Sequence, residues 1–276
     1  MELIFFDLDG TLLNESSQIT SFTQETLQLL SAKNIAFTVA TGRTMLSAQH
    51  IIGDHNFDLP HIYNNGVTVY NPKNNAVTLQ NLLDNNELDI IVSCALTHGI
   101  APFINAVEID KDDHHHTIYH GKTYHEVEKD LISKYFSKTK AQLLPLESLP
   151  NFSQVTNISM IGEAKVIRRM WEYLNTYESL VAYSGPATEG KQYSWMDVHH
   201  RLANKGTAVD NLKKQLGASK VICFGDSDND LSMFALADEC YAPENANSDI
   251  KKAANSIIGH HHKDGVAHFL RERFSL

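Results

Sequence analysis

The chain has 276 residues, of which 42% are hydrophobic and 20% charged, a composition typical of a globular protein with one large or two ordinary domains. Its formal net charge of −10 argues against binding to a nucleic-acid backbone, which requires a basic surface. We find no apolar stretch of the length that a membrane-spanning helix requires, so membrane insertion is not expected.

Three segments share one design, in which an apolar run ends in small or acidic residues and a helical pattern follows. The first is LIFFDLDGT (3–11), followed by a predicted helix from about Ser21 to Ala32. The second is IAFTVATGR (35–43), which leads into a helix around Met45 to Ile52. The third is KVICFGDSDND (220–230), which leads into LSMFALA. Strand, polar turn and helix repeated in this way predict a parallel sheet wrapped by helices.

Two carboxylates, Asp7 and Asp9, directly follow the first apolar run. A short unbroken run of this kind is typical of a strand buried on both faces, and open α/β sheets bind their ligands beyond the carboxyl ends of such strands. With Leu8 between them, the two carboxylates can serve one site in different roles. The alternative is a strand followed by an Asp-Gly turn, and this motif by itself does not decide between the two.

The middle of the chain, from about residue 81 to 187, shows alternating patterns instead of further acidic strand ends. The stretches FINAVEID, TIYHG, FSQVTNISMIG and LVAYSG predict strands, and ELDIIVSCALTHG and AKVIRRMWEYLNTY predict amphipathic helices. We interpret KDDHHH (111–116) and the stretch 145–150 as loops. The pattern predicts an α+β domain of residues 81–187 inserted between the two parts of a core, 1–80 and 188–276.

The three strand ends would bring a polar set together: Asp7, Asp9, Thr41, Gly42, Arg43, Asp226, Asn229 and Asp230. Lys205 would join them beside the start of a helix that Gly206 opens and that runs to about Leu216, and Asn204 could cap that helix. Packed carboxylates repel one another unless a cation lies among them, and Mg²⁺ prefers such oxygen ligands. Phosphoryl transfer needs the same groups: a carboxylate that attacks phosphorus, a carboxylic acid for the leaving group, and positive or N–H donors for the phosphate.

Each of these residues also has a structural alternative. Lys205 could be a solvated lysine at a helix start, although that position is unfavourable for a cation. Thr41 could cap a helix, and Asn229 or Asp230 could cap the helix that follows them.

The motifs DLDGT, TGR, NKG and GDSDND, in this order and spacing, resemble the haloacid dehalogenase superfamily of phosphohydrolases. The insertion between the second and third of these motifs resembles the Cof-like branch with its large α+β cap. Two further segments resemble that branch: NNGVTVY (64–70), which has Val67 where alanine is usual, and KDGVAHFL near the C-terminus. The resemblance covers about residues 1–80 and 188–276, and the cap only in size and position. It implies an α/β fold, namely a Rossmann-like three-layer core with a parallel sheet and an inserted α+β cap.

For catalysis and metal binding, the resemblance implies that Asp7 is the nucleophile and a ligand of Mg²⁺. It implies that Asp9 is the general acid and base and lends its backbone carbonyl to the metal. Asp226 would be a further metal ligand, with Asp230 nearby, either directly or through water.

For the substrate phosphate, the resemblance implies binding by Thr41, by the backbone of Gly42 and by Lys205. Asn229 would contact the phosphate or position a neighbour. Arg43 is left open between a residue that faces the substrate and one that forms a structural ion pair.

The activity implied is that of a Mg²⁺-dependent phosphatase acting through an aspartyl-phosphate on a small phosphorylated metabolite, such as a sugar phosphate, pyridoxal phosphate or a nucleotide. The cap would close, exclude water and select the leaving group. A phosphomutase is the nearest alternative, because phosphomannomutases resemble this layout and use the same intermediate. A non-catalytic sensor of a phosphometabolite is a second alternative, although binding alone does not require a nucleophile beside an acid.

The cysteines and histidines complete the set of candidates. Cys94, Cys223 and Cys240 show no metal or redox spacing, and their odd number argues against a disulfide framework, so we expect a cytoplasmic protein with reduced thiols. Residues 114–116 and 260–262 are histidine tracts that could bind transition metals, but their spacing defines no geometry. We therefore expect both tracts in solvated loops, with a turn at 261–265.

Overall fold

A computed structural model describes residues 1–110, 113–151 and 153–276. Its strands are β1 (Glu2–Phe6), β2 (Ala36–Val39), β3 (His61–Tyr63), β4 (Thr68–Asn71), β5 (Ala76–Leu79), β6 (Phe103–Asp110), β7 (Asp113–His120), β8 (Gln142–Pro145), β9 (Val155–Glu163), β10 (Leu180–Pro186), β11 (Tyr193–His200), β12 (Lys220–Phe224), β13 (Glu239–Pro243) and β14 (Ser256–Ile258). Its helices are α1 (Ser21–Ala32), α2 (Met45–Ile52), α3 (Asn85–Thr97), α4 (Glu126–Lys134), α5 (Ala164–Leu174), α6 (Lys205–Leu216), α7 (Leu231–Phe234), α8 (Ser248–Ala253) and α9 (Gly265–Phe274). None of the helices in these described ranges is both long and apolar enough to cross a bilayer.

The chain forms two compact units, one of Met1–Thr78 with Asn204–Leu276 and one of Leu79–Ala203. The predicted insertion, 81–187, differs from the second unit at its C-terminal end. The difference arises because β11 pairs with β9 and β10, so that it belongs to the sheet of the inserted unit and not to the core. Alternation alone marks a strand but does not say which sheet the strand joins.

A parallel sheet in the order β14-β13-β12-β1-β2 forms the centre of the first unit. β1 lies between β12 and β2 and is buried on both faces, because Ile4 and Phe6 pack into one apolar cluster and Leu3 and Phe5 into another. This double burial explains the unbroken apolar run at the N-terminus. The predicted helices at Ser21–Ala32 and Met45–Ile52 have the bounds expected from the sequence.

The carboxyl ends of β12, β1 and β2 meet at one edge of this sheet. Phe6 is in register with Phe224 on one side and with Val39 on the other. The N–H of Asp7 donates to the carbonyl of Phe224 at 2.9 Å, and the N–H of Ala40 donates to the carbonyl of Phe6 at 2.9 Å. The polar residues that follow the three strands therefore begin side by side, as the sequence predicts.

The second unit is built on a mixed sheet in the order β10-β11-β9-β6-β7-β8, in which only β7 and β8 pair in parallel. Buried residues of α3 and α5, such as Ile91 and Met170, share one apolar cluster with residues of this sheet. The prediction of a loop at 111–116 is wrong for residues 113–116, which lie in β7 and pair with β6. Lys111 and Asp112 lie outside the described residues.

Candidate active site

Three carboxylates form a compact group in the first unit. Asp7, Asp226 and Asp230 each offer a carboxylate oxygen within 4.8 Å of the others. The ammonium group of Lys205 donates to Oδ1 of Asp7 at 2.5 Å and to Oδ1 of Asp230 at 2.6 Å. The side chains of Lys205 and Asp230 are fully buried, and that of Asp7 is nearly so. The alternative of a solvated lysine is therefore wrong.

The start of α6 explains how a lysine comes to be buried here. Lys205 is the first residue of the helix, and the side chain of Asn204 caps it by accepting the N–H of Thr207. The backbone of Gly66 packs against this start with φ of 103°, and a Cβ there would lie 2.6 Å from the carbonyl oxygen of Asn204. Only glycine permits both this conformation and this approach, so the turn at Asn64–Gly66 supports the position of Lys205.

The electrostatics of the group show an excess of negative charge. Burial, together with Asp230 and Asp226, raises the pKa of Asp7 well above its usual value, although Lys205 opposes this shift. Burial and then Asp230 raise the pKa of Asp226 to about 7. Burial disfavours the charge on Lys205, but Asp230 and Asp7 outweigh it and raise the lysine pKa. One ammonium does not balance three carboxylates, so the group favours an added cation.

The turn after β12 is held by Asp230. Its Oδ2 accepts the N–H groups of Asp226 and Ser227 at 2.9 and 3.1 Å, while its Oδ1 accepts from Lys205. Asp230 precedes α7 but makes no side-chain capping hydrogen bond to that described helix. Asp230 therefore does not cap α7, although its carboxylate forms a capping box with Ser227 at the short turn Asp228–Asp230 that precedes the helix. The carboxylate instead fixes the backbone that carries Asp226.

Gly10 brings the turn after β1 against Asp226. The residue has φ of 74°, and a Cβ at this position would overlap Oδ2 of Asp226. The Asp-Gly turn that the sequence offered as an alternative thus exists, and it also brings the motifs DLDGT and GDSDND into contact. The two interpretations of DLDGT are compatible.

Asp9 forms an ion pair with Arg43. Nε of the guanidinium donates to Oδ2 of Asp9 and a terminal nitrogen donates to Oδ1, both at 2.6 Å. The side chain of Asp9 is 53% exposed and that of Arg43 is 23% exposed. Of the two possibilities for Arg43, the structure has the ion pair, in the two-pronged geometry that lysine does not reproduce.

The second motif packs against a pair of asparagines. Nδ2 of Asn229 donates to Oδ1 of Asn65 at 2.9 Å, and a Cβ on Gly42 would lie 3.2 Å from that oxygen. The hydroxyl of Thr41 accepts the N–H of Arg43 at 3.1 Å. α2 is capped by Thr44, so the capping alternative for Thr41 is wrong.

Asn65 is a site residue that the sequence prediction missed. It is buried with φ of 52°, a conformation that asparagine tolerates better than most residues. The sequence signal was the Asn-Asn-Gly run after a strand, which belongs to the segment 64–70 of the family resemblance. Its contact with Asn229, 164 positions away, joins the segment 64–70 to the motif GDSDND.

Comparison with known proteins places these features in a family. The family model described as haloacid dehalogenase-like hydrolase matches residues 4–270. The chain is 26% identical to 5-amino-6-(5-phospho-D-ribitylamino)uracil phosphatase YwtE of Bacillus subtilis, over 100% of this chain and 99% of the relative.

Among solved structures, a haloacid dehalogenase-like hydrolase from Bacteroides thetaiotaomicron is similar with a TM-score of 0.77 and 23% identity, over 99% of both chains. The subclass IIB sugar phosphatase BT4131 is similar with a TM-score of 0.75 and 20% identity, over 100% of this chain and 99% of the other.

The chain belongs to the haloacid dehalogenase-like hydrolases. Three predictions are thereby confirmed: the superfamily, a parallel-sheet core with a separate α+β cap, and a hydrolase of the phosphatase type. Superfamily phosphotransferases generally use a divalent metal, which agrees with the acidic group described above.

Proposed function

We propose that the protein is a Mg²⁺-dependent phosphatase that hydrolyses small phosphate monoesters through an aspartyl-phosphate on Asp7. The observation that carries the proposal is the set of buried Asp7, Lys205 and Asp230 with partly buried Asp226 at the carboxyl edge of the sheet. A structural role alone does not explain two buried carboxylates and a third, partly buried one around a single ammonium, because each buried charge without a partner costs free energy.

The residues present fit a hard divalent cation. The carboxylates of Asp7 and Asp226 would hold it, with the backbone carbonyl of Asp9, and Asp230 would act directly or through water. The hydrogen bonds that Asp230 accepts on both of its oxygens favour the indirect role. Bound Mg²⁺ would screen the negative charge of the phosphate from that of the attacking carboxylate.

The chain's own residues account for the two chemical steps. A carboxylate oxygen of Asp7 attacks phosphorus, the bond from phosphorus to the ester oxygen breaks, and Asp9, which must be protonated at the start of this step, gives its proton to the departing alkoxide. Asp9 then takes a proton from a water molecule that attacks phosphorus and releases Asp7. Arg43 would orient the carboxylate of Asp9 for both transfers, because its two hydrogen bonds define the plane of that group.

The transferring phosphoryl group would be held by donors from three segments. Lys205 would supply the positive charge, and Thr41 and the N–H of Gly42 would supply hydrogen bonds. Asn229 would contact the phosphate or position a neighbour, and its bond to Asn65 limits how it can turn.

The proposed substrate is a small phosphorylated metabolite. The relative named above is a phosphatase of a phosphorylated ribitylaminouracil, and one structural neighbour is named as a sugar phosphatase, which supports this class. We also propose a cytoplasmic location, supported by the free thiols of Cys94, Cys223 and Cys240. A phosphomutase remains the second candidate because it would use the same residues, and a sensor is the third.

The test is phosphate release from sugar phosphates, pyridoxal phosphate, nucleotides and glycerol phosphate, with and without Mg²⁺. We expect metal-dependent release by the parent protein and none by Asp7→Asn. Asp249→Asn is the matched control, because Asp249 lies in α8 and pairs at the surface with Lys252. Release that survives Asp7→Asn would disprove the covalent route, and isomerised sugar phosphate without net release would favour the mutase.

A further inference from the structure

The two histidine tracts have the same sequence but different structures. In β7, residues 114–116 alternate between the two faces of the sheet, so that the middle ring points away from its neighbours. Residues 260–262 instead lie at a tight turn before α9, and one ring nitrogen from each lies within 4.8 Å of the others. The ring centroids of His260 and His262 are 3.7 Å apart.

The orientation of two of these rings suits metal binding. Nδ1 of His261 donates to the carbonyl oxygen of Leu13 at 2.7 Å. Because a carbonyl oxygen only accepts, Nδ1 carries the proton of the neutral ring, and Nε2 has a free lone pair. Nδ1 of His262 lies 3.6 Å from the carboxylate of Glu15, which favours the same tautomer. Histidine ligands of metals usually donate their second ring N–H to a carbonyl or carboxylate in this way.

The backbone of the tract is also held in place. The N–H of His261 donates to Oδ1 of Asn245 at 3.2 Å, and Nδ2 of Asn245 donates to the carbonyl of Gly10 at 2.7 Å. Nδ1 of His260 accepts the N–H of His262 at 3.4 Å, a long contact that a modest rotation of the ring would release. Zn–N bonds of about 2.0–2.1 Å place ligand nitrogens about 3.4 Å apart, so small rotations of the rings complete the set.

We propose that His260, His261 and His262 form a site for a transition-metal cation of the zinc type, separate from the carboxylate group. Imidazole nitrogens suit Zn²⁺, Ni²⁺ and Cu²⁺, whereas the carboxylates of Asp7 and Asp226 suit Mg²⁺. The sequence prediction of a solvated loop did not separate the two tracts, because it considered spacing and not ring direction.

The test is Zn²⁺ binding by the full, tag-free chain, followed by titration calorimetry in excess Mg²⁺. The Asp226→Asn variant serves as the parent, because it weakens the carboxylate group as a competing site for Zn²⁺. We expect this parent to bind one equivalent, and His262→Gln in the same background to bind at least about tenfold more weakly. His262 is exposed, so its replacement is not expected to disturb folding, which thermal unfolding of each variant would check.

The other tract supplies the control. Replacing His114, His115 and His116 together with glutamine removes a second run of three consecutive histidines and should leave Zn²⁺ affinity unchanged. No Zn²⁺ bound by the parent, equal affinity in His262→Gln, or loss of binding in the control would each overturn the proposal. Failure of this site would leave the proposed phosphatase untouched, because the phosphatase is tested by phosphate release and Asp7→Asn.

Discussion

Replacing Lys205 with methionine removes a buried ammonium while keeping a side chain of similar length. The ammonium makes hydrogen bonds of 2.5 and 2.6 Å to Asp7 and Asp230, both of which stay buried in the variant. A net hydrogen bond to a charged group contributes about 1.5–3 kcal/mol, and breaking a buried ion pair costs about 3–5 kcal/mol. We therefore expect the free energy of unfolding to fall by about 3–5 kcal/mol at about pH 8.

The loss should depend on pH. Burial and the neighbouring carboxylates already raise the pKa of Asp7, and removal of Lys205 takes away the main influence that opposes this shift. Below the raised pKa the carboxyl group is neutral and needs no ammonium, so the variant should lose less stability at about pH 5.5 than at about pH 8. Phosphate release should fall by at least about a hundredfold at either pH, since one donor to the phosphoryl group is lost.

Urea unfolding followed by far-UV circular dichroism measures this change. Tryptophan fluorescence gives a separate signal, because Trp171 and Trp195 both lie in the unit Leu79–Ala203 and report on that unit. Lys214→Met is a matched control: Lys214 lies in the same helix and contacts Asp210 at 2.6 Å, but its side chain is 71% exposed. We expect that control to lose no more than about 1 kcal/mol.

If Lys205→Met behaved like the control, the buried ion pair would not have the predicted effect on stability. A loss below about 1 kcal/mol at both pH values would mean that the buried ammonium stabilises the fold no more than an exposed one. A loss of several kcal/mol that did not change with pH would mean that the protonation of Asp7 does not change between these two pH values, which contradicts the predicted pH dependence.

The same site leads to three further predictions. Because burial raises the pKa of Asp226 to about 7 from a usual value of 3.8, the folded state without metal is favoured at low pH and loses stability as the pH rises from 3.8 towards 7. Added Mg²⁺ should therefore raise the melting temperature more at about pH 8 than at about pH 5.5, and an equal rise at both values would contradict this. Arg43→Lys should lower kcat while changing stability by less than about 1 kcal/mol, because the pair with Asp9 is partly exposed; an unchanged kcat would show that Arg43 does not position Asp9. Gly10→Ala should weaken Mg²⁺ binding and destabilise the protein by more than the control Gly217→Ala. Gly217 has a similar φ of 64°, but a Cβ there would meet no heavy atom of the described residues within 4 Å. Calorimetric Mg²⁺ titration and thermal unfolding of the two alanine variants would measure the difference, and equal effects would exclude the steric contact with Asp226.

The local elements and the chemistry at their ends could be predicted from the sequence. Helices α1 and α2 have the predicted bounds, and α6 begins one residue before the predicted Gly206. Helical periodicity and capping residues are properties of neighbouring positions, which is why these predictions succeed. The unbroken apolar run of β1 predicted a strand buried on both faces, and the structure buries it between two clusters. Charge and residue type at the strand ends predicted an acidic site, and the order and spacing of the four motifs carried the resemblance to its family.

The individual bonds between distant residues depend on tertiary contacts. The bonds of Lys205 to Asp7 and of Asn65 to Asn229 join positions 198 and 164 residues apart, and no local pattern encodes such pairs. The same reason explains why β11 was assigned to the wrong unit: its own residues specify a strand, but pairing with β9 and β10 decides its sheet. It also explains why the two histidine tracts differ. The rings of residues 114–116 alternate across β7, whereas those of residues 260–262 converge because the backbone turns before α9.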